Sequence, residues 1–484
     1  MVHQRWSYSR ATITFAALAV GWSMTAVAET ALELDPELAG RVGRNTLALS
    51  ADSDSPGGLK TALPDGVGDL AQGTVMMRLR SSRRLGHVDE TSLAMDLMNC
   101  SGVRVQLSEH RDSPRFVFFH PGGSTRPAAV CRIAYLNAGQ WYHVALSWTS
   151  QTGLVDVFVN GWAQQRVHLP PWQPKGDRTL RFGGTLGAGT DAARIELEEI
   201  SLHAWPMDEG QLRQAISLEQ LADGGSGVRK RYETALDLSD YTLTPLFEPD
   251  LSKPLPIIAE DTLFEGEART REPEPGQWVL EGPAKAFTAD GKLTIDNLSD
   301  GPAHTVLWLP RAFPANVMLE FDITIERDEE GLAIVFFAAR PCGDPVGSIF
   351  KTGLAKRGGV FGTYIKGDVD SYHVSYLAAG QRRTAIPGPR RSANVRKNSG
   401  FWLVACGDDQ ILGHDLGRGP HRVRILKMGN LVRVEANGKL SVAFDDDGET
   451  WGPVLGDGYI GLRQMNHLLS AQYENLRVYE VSRK

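Results

Sequence analysis

The sequence predicts an all-β protein built from two sandwich domains. Three observations lead there. Short runs of alternating apolar and polar residues recur from about Gly73 to the C-terminus, and a period of two is the pattern of half-buried strands. Asn160-Gly161 and Asn437-Gly438 each follow such a run directly, and both residue types tolerate the positive φ that a tight hairpin needs. The chain has 484 residues, 42% of them hydrophobic. That is more than one core holds, because cores stop growing near ~250–300 residues.

Taken in order, residues 1–28 read as an export leader: Arg5 and Arg10, an apolar run from Ala11 to Val20, and the small-x-small site Ala26-Val27-Ala28. The apolar run is too short to span a bilayer, and no later segment is apolar enough. The mature product is therefore expected to be exported, periplasmic or secreted, with no membrane span. Residues 29–72 form a lead-in. The first sandwich covers 73–223, with strands at Thr74–Arg80, Val103–Leu107, Trp141–Trp148 and Val155–Val159. One helical stretch, Asp208 to Leu221, places Leu212, Ile216 and Leu221 near one face. Residues 224–262 carry four prolines without a sustained period and form a linker or a strap. The second sandwich, 263–484, holds strands at Thr305–Leu309, Val317–Ile325, Leu332–Ala338, Tyr372–Leu377, Phe401–Ala405, Arg422–Lys427, Leu431–Ala436, Ile460–Met465 and Tyr473–Val481.

The net charge of −7 argues against nucleic-acid partners, which require a basic surface. Losing Arg5 and Arg10 with the leader makes the chain two charges more negative. Against that background, Ser371 to Gly407 contains no Asp or Glu but does contain Arg382, Arg383, Arg390, Arg391, Arg396 and Lys397. Guanidinium groups pair with carboxylate or sulfate bidentately, so this stretch points to an acidic ligand. Four cysteines in an exported chain suggest bridges. Cys100–Cys131 and Cys342–Cys406 keep each within one domain. No metal-ligand spacing occurs and no cofactor is required. The Asp445-Asp-Asp447 turn is a candidate for a calcium contact.

Gly139-Gln-Trp-Tyr-His-Val-Ala-Leu-Ser-Trp148, followed by Val155-Asp-Val-Phe-Val-Asn-Gly161 and Ile195–His203, resembles the laminin-G-like and concanavalin A-like lectin/glucanase domains. The acids Glu196, Glu198 and Glu199 do not keep the acid-apolar alternation of retaining glucanases on that fold, so they read as a structural strand. In the second half, His304, Trp308-Leu-Pro310, Val335–Ala339, Gly367-Asp368, His373–Tyr376, Asn394–Lys397 and Ile460–Met465 resemble the YesU-like family of concanavalin-like jelly rolls. Both resemblances imply sandwich folds; the first says little about ligand, and the second implies a carbohydrate one.

Within the second sandwich these residue types suit β-elimination on a uronate. That reaction needs the carboxylate neutralised, a base for the C5 proton and an acid for the leaving oxygen. The candidate catalytic residues are His373, Tyr376, Tyr364 and Arg463. The candidate substrate-binding residues are Asn394, Arg396, Lys397, Gln464, His304, Trp308 and Asp368. Strand alternation puts His373 and Tyr376 on opposite faces, which favours Tyr364 as the partner. The expected function is action on an extracellular acidic polysaccharide by a polysaccharide lyase domain with an accessory sandwich. The alternatives are a non-catalytic two-domain lectin-like protein and a structural or adhesion protein of the envelope.

Overall fold

The computed structural model describes residues 71–86, 93–100, 103–110, 113–119, 127–174, 179–185, 195–216, 227–298, 304–327, 332–344, 347–377, 392–411, 419–465 and 470–484, with the strands at 12–18, 21–27 and 59–62. The basic residues Arg382, Arg383, Arg390 and Arg391 lie outside them, as does Leu221. The chain divides into two compact units between Arg229 and Lys230. Both are almost wholly β.

In the first unit, one sheet runs Trp162–His168, Leu154–Val159, Trp141–Thr149, Gln72–Ser81 and Ile195–His203, and continues through Thr12–Leu18 and Gly21–Val27, two strands within the segment assigned to the leader. The other sheet runs Leu59–Ala62, Thr179–Thr185, Leu93–Cys100, Val103–His110, Ser113–Phe119 and Pro127–Arg132. Alternation along Trp141–Thr149 sends Tyr142, Val144, Leu146 and Trp148 into the core with Leu79, Leu107, Phe116 and Phe118. The opposite face, at Met76, Ala145 and Phe158, is covered by Met207 and Leu212. Leu212 belongs to the helix Glu209–Ala215, which starts at a capping box between Asp208 and Gln211. The Asn160-Gly161 turn forms as expected, with φ of 52° and 75°.

In the second unit, one sheet runs Ala284–Ala289, Lys292–Asn297, Ser470–Arg483, Val317–Arg327, His421–Met428, Leu431–Ala436 and Lys439–Asp445, with Tyr241–Phe247 also paired to Ser470–Arg483. Leu236, Leu238, Tyr241 and Leu243 pack there against Met318, Leu426 and Val481, so this part of the segment 224–262 lies against the second unit's own sheet. The other sheet runs Ile257–Ala259, Trp278–Glu281, His304–Phe313, Gly458–Met465, Leu332–Pro341, Val369–Leu377, Ser392–Asn398 and Trp402–Asp408.

Neither expected disulfide forms. Cys342, just past the strand Leu332–Pro341, and Cys406 are separated by two intervening strands, as are Cys100 and Cys131. Three strand spacings of ~4.8 Å keep each pair at least about 14 Å apart, beyond the reach of a bridge. Cys131 and Cys406 are buried and form no disulfide. The Cys342 thiol is also free and donates to the Gly367 carbonyl and the Asp370 carboxylate at 3.5 and 3.2 Å. Burial and Asp370 push its pKa up to about 12.

Candidate functional site

The register of the second unit's eight-stranded sheet sorts the candidate residues by parity. Residues directly opposite one another across neighbouring strands point to the same face. One row reads Trp308, Gly461, Phe336, His373 and Arg396. The row two residues along reads Glu281, Val306, Arg463, Ile334, Ser375 and Asn394. The row between them is Leu307, Leu462, Val335, Val374 and Val395, all buried, and it faces the sandwich core. His373, Arg396, Arg463 and Asn394, from three strands, therefore share the outer face.

The same parity removes three candidates. Gln464 turns to the core face, where its amide donates to the Tyr473 hydroxyl of the facing sheet at 3.3 Å. Tyr376 is buried on that face beside Tyr473 and Asp409. Lys397 is buried there as well, its Nζ held by the Asp446 carboxylate and the Gly452 carbonyl, each at 2.7 Å. Asp446 also accepts from the Tyr372 hydroxyl. This occupied carboxylate is the centre of the acidic turn proposed to contact calcium, and among the described residues no group of three or more His, Cys, Asp or Glu is placed to hold a metal ion. Asp368 is exposed and accepts from the Ala355 amide at 3.3 Å, apart from the outer-face cluster.

Arg463 lies at the centre of the outer face and is fully buried. Its guanidinium carbon is 5.2 Å from the Phe336 ring centre, 5.0 Å from Tyr364 and 5.6 Å from Phe361. Nη2 donates to His304 Nδ1 at 2.7 Å. Among the described residues neither Nε nor Nη1 finds an acceptor, and no carboxylate pairs with the group. Burial lowers its pKa to about 10.

His304 is fixed from behind. Its amide donates to the Gly359 carbonyl at 2.8 Å, and a Cβ on Gly359 (φ 74°) would lie 2.0 Å from the His304 carbonyl oxygen, so only glycine allows this approach. The imidazole of His304 stacks on Phe361 at 5.4 Å. His373 packs edge-on to Phe336, and its Nδ1 accepts from the Asn398 amide at 3.0 Å, which leaves the ring proton on Nε2. Burial, then the Arg463 and Arg396 charges, hold its pKa well below the usual histidine value. Arg396 lies 3.9 Å over the Phe401 ring and donates to the Phe401 carbonyl at 2.9 Å. Asn394 sits half-buried at the end of the second row.

Tyr364 comes to the cluster on the helix Phe361–Lys366, but it presents its ring. Its hydroxyl donates to Glu281 Oε2 at 2.8 Å, and Glu281 accepts in turn from buried Arg357 at 2.6 and 2.9 Å. Burial and Glu281 push the Tyr364 pKa well above the usual phenol value, and its hydroxyl proton is engaged by Glu281. Trp308 is likewise no sugar platform. It is 1% exposed and stacked on Phe336 at 5.6 Å. A Cβ at Gly461 would lie 2.7 Å from its ring. Gly461→Ala is expected to destabilise the protein by about 1–3 kcal/mol, read as a lower midpoint in urea unfolding followed by tryptophan fluorescence. An unchanged midpoint would mean the ring moves freely.

Sequence reasoning missed Phe336, Phe361, Phe401, Asn398 and Glu281. Asn398 was accessible, two residues beyond Arg396 on the same strand face. The aromatic residues gave no signal apart from hydrophobicity.

Comparison with known proteins matches both halves. Residues 268–478 match the family described as domain of unknown function DUF1961, and residues 83–203 match the concanavalin A-like lectin/glucanases superfamily. The C-terminal half is 33% identical over 207 residues to the uncharacterized protein YesU of Bacillus subtilis, covering 43% of this chain and 90% of YesU. The chain belongs to the YesU family through that half. Among solved structures it is similar to a Bacillus subtilis protein of unknown function with a galectin-like fold (32% identity, 46% of this chain and 99% of that one, TM-score 0.38). It is also similar to the carbohydrate-binding module CBM66 of Bacillus subtilis (12% identity, 42% and 95%, TM-score 0.28).

Proposed function

We propose that the outer face of the second unit binds an acidic saccharide, with the uronate carboxylate received by Arg463. The observation that carries this reading is a wholly buried guanidinium with two hydrogen-bonding nitrogens unpartnered among the described residues. A buried charge without a counter-charge costs several kcal/mol, and a ligand carboxylate recovers that cost by pairing with it. His373 Nε2–H and the Asn394 amide supply donors for sugar oxygens along the same face. The superfamily to which the first unit matches, named for lectins and glucanases, supports carbohydrate as the ligand class and an accessory glycan-binding role for that unit. The leader-like residues 1–28 support action outside the cytoplasm.

A second reading, uronate elimination, is favoured by His373 being kept neutral close to the Arg463 charge. The bond from Asn398 places the His373 proton on Nε2, so the imidazole is set as a donor and becomes a base only with that amide reversed. The test is a panel of uronate and neutral polysaccharides, scored for binding and for the ultraviolet absorbance of unsaturated uronate. Binding confined to acidic glycans and weakening with salt is expected. Binding of neutral glycans alone would overturn the reading, and a rise in absorbance would promote elimination over simple recognition.

A further inference from the structure

Of the side chains packed around Arg463, Phe336, Tyr364 and His304 are buried, while Phe361 is 39% exposed. Phe361 opens the six-residue helix Phe361–Lys366, whose N-cap residue Val360 is 58% exposed and makes no side-chain cap bond. Its ring stacks on His304 and meets Phe401 edge-on at 5.3 Å. Phe401 is held in place. Its φ is 61°, Arg396 lies against its ring, and the adjacent Gly400 amide donates to the Ile365 carbonyl at 2.7 Å. Among the described side chains packed on the Arg463 guanidinium, Phe361 is therefore the solvent-exposed one, and its ring rests on a short, uncapped turn beside a fixed aromatic neighbour.

We propose that Phe361 is the closure of the Arg463 site: its ring covers the guanidinium until a ligand displaces it and takes over its contacts. This rests on the acidic-saccharide reading. Displacing the ring gives up its stack on His304 and its edge contact with Phe401. A uronate replaces both kinds of contact, with its apolar C–H face for the aromatic contact and its carboxylate for the charge. A small inorganic anion brings only charge. The cost of displacing the ring is the same for every ligand, so an acidic sugar, which makes up both kinds of contact, binds more tightly than phosphate or chloride, which makes up only the charge.

The test is phenylglyoxal modification of Arg463, followed by peptide mass spectrometry on the full-length protein. Phe361→Ala is expected to raise the labelling rate by about tenfold or more, the scale of two lost aromatic contacts. Phe361→Leu, which keeps apolar bulk, should raise it less, and Phe287→Ala, at an exposed phenylalanine on the other sheet, should not change it. Thermal melts on the same samples exclude global unfolding as the cause. Equal labelling of wild type and Phe361→Ala would overturn the closure. Calorimetry adds a binding arm: Phe361→Ala should gain affinity for a galacturonate trimer and for inorganic phosphate alike, because neither then displaces the ring, and unchanged affinity for both would overturn the closure. Labelling does not depend on ligand identity. A rise in labelling in a protein whose wild type binds no uronate would therefore sink the saccharide reading and leave Phe361 as the cover of Arg463.

Discussion

Arg463→Met is expected to stabilise the ligand-free protein while abolishing binding of acidic saccharides. The balance can be argued group by group. Holding an unpaired guanidinium in the interior costs several kcal/mol even after relaxation. Against this stand one hydrogen bond to His304, worth about 1 kcal/mol, and three aromatic contacts of roughly 0.5–2 kcal/mol each, part of which a methionine sulfur retains. Removing the charge at similar volume should leave a net gain, in the direction seen when buried ionic groups give way to apolar ones. Urea unfolding at neutral pH measures it. A variant that is stabilised and does not bind is the signature of a residue kept for function at the expense of stability. A destabilised variant would mean that Arg463 is satisfied in the ligand-free state and has no need of an external anion.

The second large effect is acid destabilisation of the first unit. His143 is buried on the Trp141–Thr149 strand, and burial, with the Arg78 and His203 charges, lowers its pKa to about 3. Burial lowers that of His203 to about 4. Each stays neutral in the folded state where the unfolded chain, near 6.5, takes up a proton. The unfolded state therefore binds more protons below pH 6.5, and stability falls as pH drops towards the folded values. At 1.36 kcal/mol per pH unit, His143 alone removes on the order of 2 kcal/mol between pH 6.5 and pH 5, and His203, which is less buried, removes less. His143→Gln should flatten this dependence in denaturant titrations taken from pH 7 to pH 4. An equally steep loss in the variant would assign the acid sensitivity to other groups.

The two-domain β architecture was legible because hairpin turns and strand parity are local. Asn160-Gly161 and Asn437-Gly438 adopt the left-handed backbone that their residue types allow, and the strands flanking them run where alternation placed them. The candidate site was legible only in part, for a physical reason. Consecutive strand residues point to opposite faces, so flagging Arg396 with Lys397, or Arg463 with Gln464, put one member of each pair on the wrong side of the sheet. Parity within a strand is readable and correctly separated His373 from Tyr376. Which strands lie side by side, and in what register, is a tertiary property. The contact of His304 with Arg463, 159 residues apart in the chain, therefore left no trace in local pattern. The disulfides failed on the same ground: spacing in sequence suggested pairs that the strand order holds three spacings apart.

On the proposed function, the Arg463 guanidinium waits for a carboxylate. The most direct measurement is calorimetric titration of the full-length protein with a galacturonate oligomer and, separately, with the same oligomer as its uncharged methyl ester. Binding of the acid with little or none of the ester, lost in Arg463→Met, is the predicted result. Equal affinity for the two forms, or acid binding that survives Arg463→Met, would contradict it.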